Sequence, residues 1–312
     1  MSTPFFGRLS IHLDRQGFKS PHLFSKTHVG ARVWQKIVAL VPLIVVSCAV
    51  QGWPAVQAFS MTVCGALLAE AAGACLFRRI PAYHEGESIL IGLFCALVLP
   101  QTLSIWFFFF AAFIAVFAGR EIFGGFGQAF LFPPAVGLLT LFLGMPSMIQ
   151  AFDFKEARSL ASAVSMEAAG HLNPVNLLLY PGSAASEDVS FFALGLGAII
   201  LLGCGLVRWE LPVLGMASYS VIHIGLEKCS PGFLLSGGLW LTLFWGLTQT
   251  SSMPLTPTGR RIYAVLTGLF AALCPLGDGA LRLAAGLAAA SLLSPWLDSL
   301  STLKNFQKAG AA

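Results

Sequence analysis

The sequence predicts an all-α polytopic membrane protein with about ten transmembrane segments in two inverted five-helix repeats. Three observations carry this: scarcity of charge, a series of apolar runs, and an uneven placement of Lys and Arg. Of the 312 residues, 56% are hydrophobic and 10% are charged, with a mean hydropathy of +0.79. A soluble domain carries about 25% charged residues. A chain with so few cannot solvate a globular surface, and lipid is the solvent that suits it. The formal charge of +4 informs through its placement rather than its size.

The elements follow in order. Residues 1–34 form a basic N-terminal segment expected on the cytoplasmic side. Arg8, Arg15, Lys19, Lys26 and Arg32 lie in it, and Lys36 follows just beyond. Beside so apolar a chain this reads as a positive-inside anchor with an interfacial stretch near 5–13, not as a nucleic-acid arm. Its composition lacks the apolar core of a signal peptide, so no cleaved leader or lipid attachment is expected. Residues 35–150 form the first repeat, 151–189 an outer loop, 190–298 the second repeat and 299–312 a cytoplasmic tail. Apolar runs fall near 35–53, 55–77, 87–100, 105–119, 134–150, 190–207, 211–226, 232–249, 262–276 and 280–297. Several are shorter than the ~20 residues of a full span. The third and the ninth are the clearest, and short segments at matching places suggest broken helices meeting near the midplane.

Basic residues orient the chain. With the N-terminus inside and ten crossings, 14 of the 18 Lys and Arg fall on the inner side, Lys36 and Arg120 among them. Lys155, Arg158, Lys228 and Arg282 fall outside. Both termini are then cytoplasmic and the long loop is external and acidic. Five spans on each side of it reverse orientation between halves, as inverted repeats require. The seven cysteines form no C-x-x-C pair and most sit in apolar runs, so neither a disulfide framework nor a metal site is expected.

Candidate residues are few. Glu70 is an acid inside the second apolar run, where an isolated carboxylate costs at least ~2.5 kcal/mol. It therefore faces a cavity, a partner helix or another protein of a complex, either on an ion pathway or as a hydrogen-bonded packing acid. Residues 119–128, Gly-Arg-Glu-Ile-Phe-Gly-Gly-Phe-Gly-Gln, read as close helix packing or a re-entrant turn, since no strand precedes them and no Lys-Ser/Thr follows. Thr248, Gln249 and Thr250 end the eighth run; they would receive a polar ligand, cap an interrupted helix, or form an ordinary loop before Arg260 and Arg261. His171 reads as a solvated loop residue.

The outer loop contains Glu156-Ala157-Arg158-Ser159-Leu160-Ala161-Ser162. Read as acid-x-x-Ser-x-Ala-Ser, it resembles a site where a flavin transferase attaches FMN to a hydroxyl through a phosphodiester. Ser162 would be the acceptor, Ala161 the small neighbour, and Glu156 and Ser159 the rest of the signature. The chain also resembles the RnfD/NqrB family of electron-transport membrane subunits over nearly its full length. The matching residues are Leu67-Leu68-Ala69-Glu70, Gly86, Gly92, Gly124-Gly125-Phe126-Gly127-Gln128, Pro133, Gly137, Leu235-Ser236-Gly237, Thr248 and Gly259-Arg260. Where that family has Thr and Asp in the attachment motif, this chain has Ser162 and Glu156. Its Asn-x-x-Asn-Pro reads Ala129-Phe130-Leu131-Phe132-Pro133, its Thr-Asp-Pro reads Thr248-Gln249-Thr250, and a Thr near the third span is Ile91.

The resemblance implies a membrane-embedded, flavin-carrying subunit of an ion-translocating oxidoreductase, moving Na⁺ or H⁺, with covalent FMN on the outer loop. It leaves room for a second flavin between the spans. It places the chain in a bacterial inner membrane, beside other integral and peripheral subunits and a flavin transferase, with no activity of its own because the flavin carries the electrons. Two other readings stay open on the residues: a small-solute channel on the same scaffold, and a structural subunit without flavin.

Overall fold

Apolar side chains arrayed all round a helix, rather than on one stripe, favour a bundle whose outer surface meets lipid. The computed structural model is such a bundle. It describes residues 29–81, 83–145, 191–227, 237–249, 251–274, 276 and 279–310. Ten helices of ten or more residues are described: α1 (Val29–Gln51), α2 (Trp53–Phe77), α3 (Glu87–Val98), α4 (Ile105–Val116), α5 (Pro133–Gly144), α6 (Phe191–Gly203), α7 (Glu210–Glu227), α8 (Gly237–Gly246), α9 (Pro257–Leu273) and α10 (Gly279–Gly310). No strand occurs among the described residues. Each helix overlaps one of the ten apolar runs. Three are long and apolar enough to cross a membrane: Gly30–Gln51, Trp53–Phe77 and Ala280–Ser299.

Local chemistry sets the helix ends. Gly52, at φ 69°, separates α1 from α2. Prolines sit in the first turns of α2, α5 and α9, where their missing N–H is not needed. Thr256 caps α9, its Oγ1 accepting the Gly259 N–H at 3.2 Å. That cap and Pro257 start the ninth helix several residues before its apolar run. It spans 17 residues, longer than its apolar run and still under the ~20 of a full span. The third helix of the first half, α3, has 12 residues, as α4 and α5 do, and the third of the second half, α8, has 10.

Five helix packings recur in both halves, while α3 on α4 and α1 on α2 are pronounced only in the first. In the first, α2 packs on α4, α4 on α5, α2 on α3, α3 on α5 and α1 on α3. In the second, α7 packs on α9, α9 on α10, α7 on α8, α8 on α10 and α6 on α8. The halves join through α1 against α6 and α5 against α10. Glycine allows one recurring contact: a Cβ at Gly137 of α5 would overlap the Ala111 carbonyl of α4, and a Cβ at Gly286 of α10 would overlap that of Thr267 on α9. The interior is apolar, with Leu40, Leu43, Leu97, Phe108, Leu241 and Leu283 all at 2% exposure or less. Outside, Trp53, Trp106, Leu143, Ile199, Val221 and Trp296 are exposed, as a lipid-facing surface demands.

Two basic residues depart from the positive-inside expectation. Lys36 lies within α1 and is 6% exposed, and Arg120 is 2% exposed. Neither is a solvated anchor. Their burial draws attention to what surrounds them.

Candidate functional site

Six elements bring polar side chains to one end of the bundle: α1, the last turns of α2, the start of α3, the turn after α4, the glycine loop before α5 and the chain leaving α8. The turn after α4 widens into a π-helical segment, Phe117–Glu121. Such insertions break the regular ladder and recur at functional sites. Here it sets Arg120 and Glu121 inward, with Glu121 4% exposed.

Arg120 is the hub. Its Nη2 lies 2.8 Å from Glu121 Oε1 and 3.3 Å from Glu70 Oε1, and its Nη1 lies 3.8 Å from Glu87 Oε2. Its Nε donates to Glu121 Oε1 at 3.0 Å and its Nη1 to Ser88 Oγ at 2.7 Å. Ser88 passes its own proton on, donating to Glu70 Oε2 at 2.5 Å. The sequence expectation that Glu70 faces a partner helix is met by Ser88 of α3 and by Arg120. A planar guanidinium with five donors suits this shared role, which a Lys could not fill.

Glu87 links this hub to the second half. Its Oε1 accepts from Gln249 Nε2 at 3.1 Å, and its Oε2 from the Gly127 N–H at 3.4 Å. Gly127, at φ 75°, takes a backbone conformation that side-chain-bearing residues seldom adopt, and this turns its N–H toward the carboxylate. Gln249 Nε2 also lies 3.3 Å from Ser251 Oγ. On the facing wall, Lys36 Nζ donates to the Thr248 carbonyl at 2.7 Å, and Trp245 Nε1 donates to the Lys36 carbonyl at 3.2 Å. Lys36, Glu87, Gly127, Gln249 and Ser251 line a cavity of about 220 Å³, closed on its apolar side by Val33, Leu90 and Phe126.

Two cations, Lys36 and Arg120, thus share the bundle end with three carboxylates, Glu70, Glu87 and Glu121. All five are at most 7% exposed. Each buried ion costs several kcal/mol to desolvate, which only close partners offset. In a chain with 10% charged residues such a concentration is a functional marker as well as a structural clamp.

The sequence residues divide as follows. Glu70, the 119–128 loop and the Thr248-Gln249 pair converge on this cluster. Ile91, at 1% exposure, packs instead among Phe94, Phe132 and Trp245. Glu156, Ser159, Ala161, Ser162 and His171 lie outside the described residues. Lys36, Glu87 and Ser88 were not singled out from sequence as site residues, and Arg120 and Glu121 were noted only within the 119–128 stretch, as helix packing or a re-entrant turn. Lys36 and Glu87 stand at the edges of apolar runs and Arg120-Glu121 follows one directly, positions that read as membrane-surface residues. Among the described residues, no group of three or more His, Cys, Asp or Glu is arranged to hold a metal ion.

Comparison with known proteins gives this geometry a setting. The chain is 26% identical over 249 residues to a subunit of the ion-translocating oxidoreductase complex of Methanosarcina acetivorans, covering 80% of this chain and 81% of that one. It is 23% identical over 269 residues to a subunit of the Na⁺-translocating ferredoxin:NAD⁺ oxidoreductase complex of Acetobacterium woodii, covering 83% and 85%. It is 24% identical over 258 residues to a subunit of the Na⁺-translocating NADH-quinone reductase of Ectopseudomonas mendocina, covering 75% of this chain and 64% of that relative. All three relatives thus belong to ion-translocating oxidoreductase complexes. The sequence model of the NQR2, RnfD, RnfE family matches residues 18–294, and the chain belongs to that family.

Proposed function

We propose that the chain is a membrane-embedded, flavin-carrying subunit of an ion-translocating oxidoreductase complex, with Ser162 holding FMN on an outer-face loop. The observation that carries the reading is the buried ionic cluster at the junction of the two halves, in a chain of this family. An apolar bundle needs no such cluster for stability alone, because well-packed hydrophobic residues do as well or better. Charged groups inside a membrane protein mark the path of an ion or proton. Glu70 would contribute to that path through its bonds to Ser88 and Arg120.

The attachment motif fits the cofactor chemically. Ser162 supplies a hydroxyl able to form a phosphodiester, Ala161 leaves room for the transferase, and Glu156 keeps an acid at the motif's start. FMN once bound would supply one- and two-electron transfer. Glu156, Ser159, Ala161 and Ser162 have no other role in this reading. A second flavin would lie between the spans.

The architecture proposed is two inverted repeats in a bacterial inner membrane, with both termini cytoplasmic. The matched packing of the two halves supports it. So does the antiparallel placement of the third helix of each half, since α3 begins at the ionic cluster and α8 ends there. The partners are other integral and peripheral subunits of an Rnf- or Nqr-type complex, together with a flavin transferase.

In-gel flavin fluorescence tests the cofactor. The full chain and Ser162→Ala are co-expressed with a flavin transferase and run under denaturing conditions. A fluorescent wild-type band that is lost in Ser162→Ala is the expected result. A dark wild-type band, with the transferase active on a second substrate, would remove the covalent site and leave the chain a scaffold or a channel.

A further inference from the structure

The cavity beside Glu87 carries a carboxylate and other oxygen atoms. Its wall presents the Glu87 carboxylate and the Ser251 hydroxyl, the Gln249 amide turns its NH2 to both, and the Thr248 carbonyl receives the Lys36 ammonium. Carboxylate, carbonyl and hydroxyl oxygens suit hard cations. Yet a cation from the chain itself is already there. Lys36 reaches in from α1 and places its ammonium 2.7 Å from the Thr248 carbonyl, on a cavity wall it shares with Glu87.

Charge balance gives this ammonium its importance. Arg120 makes its closest ion pair with Glu121, at 2.8 Å, and stands 3.8 Å from Glu87. One guanidinium cannot neutralise three buried carboxylates. Lys36 is the second cation, and it stands on the Glu87 side. Its position is fixed from both ends, by the ammonium on Thr248 and by Trp245 on its own backbone carbonyl. Without it the same five-residue cluster would hold three carboxylates against one cation, and a mobile cation would be drawn in.

We infer that Lys36 is a tethered counter-ion: its ammonium, held by the Thr248 carbonyl, takes the place of an exchangeable monovalent cation in the cavity lined by Glu87, Gln249 and Ser251. The wild-type chain does not bind Na⁺ there, and removing the ammonium opens the site. Relevance to ion translocation rests on the function proposed above. The binding test needs neither flavin nor partner proteins, so either can fail without the other.

The experiment uses the purified full-length chain in detergent. Melting temperature is followed across a series of NaCl concentrations, with choline chloride holding ionic strength constant, and bound ²²Na⁺ is measured by equilibrium dialysis. Wild type should show no Na⁺-dependent rise and no bound ²²Na⁺ that Glu87→Gln removes. Lys36→Met should melt lower in choline chloride, climb with each tenfold increase of NaCl, and retain about one ²²Na⁺ per chain at saturation, as linkage demands of a ligand bound only by the folded state. Lys36→Arg should behave as wild type, and the double variant Lys36→Met/Glu87→Gln should lose the gain.

Two results overturn the inference. One is a folded Lys36→Met that responds to NaCl no more than wild type. The other is a wild-type chain that binds ²²Na⁺ through Glu87. Where Lys36→Met fails to fold, Lys36→Gln replaces it in the same assays, and a folded Lys36→Gln that retains no ²²Na⁺ overturns the inference.

Discussion

At the scale of single residues, Arg120 is the side chain on which most of the bundle's buried charge depends. It contacts Glu70, Glu87, Glu121 and Ser88, and replacing it leaves three buried carboxylates facing only Lys36. Arg120→Met should destabilise the folded chain by about 3–5 kcal/mol, the usual cost of orphaning a buried charge. Glu121→Gln should cost less, because Arg120 keeps Glu70 and Ser88 as partners and the amide oxygen still accepts. Thermal unfolding of both variants in detergent checks the order, and equal melting temperatures would contradict it. Glu70 was legible from sequence because an acid in the middle of an apolar run must find a partner. Arg120 and Lys36 were not, because a basic residue at the edge of an apolar run reads as a membrane-surface anchor. Only a helix starting at Val29 and a π-helical turn at Phe117–Glu121 carry them inside, and neither event leaves a pattern in the sequence.

At the scale of elements, helix contacts depend on backbones coming close enough that no Cβ fits. Gly137 and Gly286 hold equivalent places, α5 on α4 and α10 on α9. Gly137→Val and Gly286→Val should each weaken the bundle by about 1–3 kcal/mol or more, the cost of forcing volume into a packed contact. Gly195→Ala on α6 is the control, since an added Cβ there meets nothing within 4 Å. It should be neutral or stabilising by up to about 1 kcal/mol through helix propensity. Melting curves of the three variants decide, and a control as damaged as Gly137→Val would sink the close-contact argument. The ten helices themselves were legible, since unbroken apolar runs between polar or glycine-rich breaks left few alternatives. Their ends were less so. The ninth grew by an N-terminal polar turn, because Thr256 and Pro257 begin a helix that hydropathy alone does not reveal.

At the scale of the whole molecule, the proposed orientation rests on charge asymmetry and on odd parity, and burial alters the first of these. Lys36 and Arg120 leave the inner tally as buried residues, and Arg282, also buried, donates to the Leu276 carbonyl and leaves the outer one. The bias survives, because the proposed orientation keeps Arg78, Arg79, Arg208, Arg260, Arg261 and the N-terminal cluster together on the inner side. Parity then makes the sharper claim. If each half contributes five crossings, the loop at 151–189 faces away from both termini, whereas an even number in the first half would put it beside the N-terminus. Single cysteines at Ser10→Cys, Gly170→Cys and Ala311→Cys, in a chain whose seven native cysteines are replaced, separate these cases. With a membrane-impermeant maleimide, Gly170→Cys should label in intact spheroplasts, and the other two only after permeabilisation. Labelling of Gly170→Cys together with either terminus would break the inverted-repeat arrangement. It would also remove the flavin motif from the outer face, because Ser162 and Gly170 lie in the same 151–189 segment of the sequence. Orientation and cofactor placement therefore stand or fall on the same count of crossings.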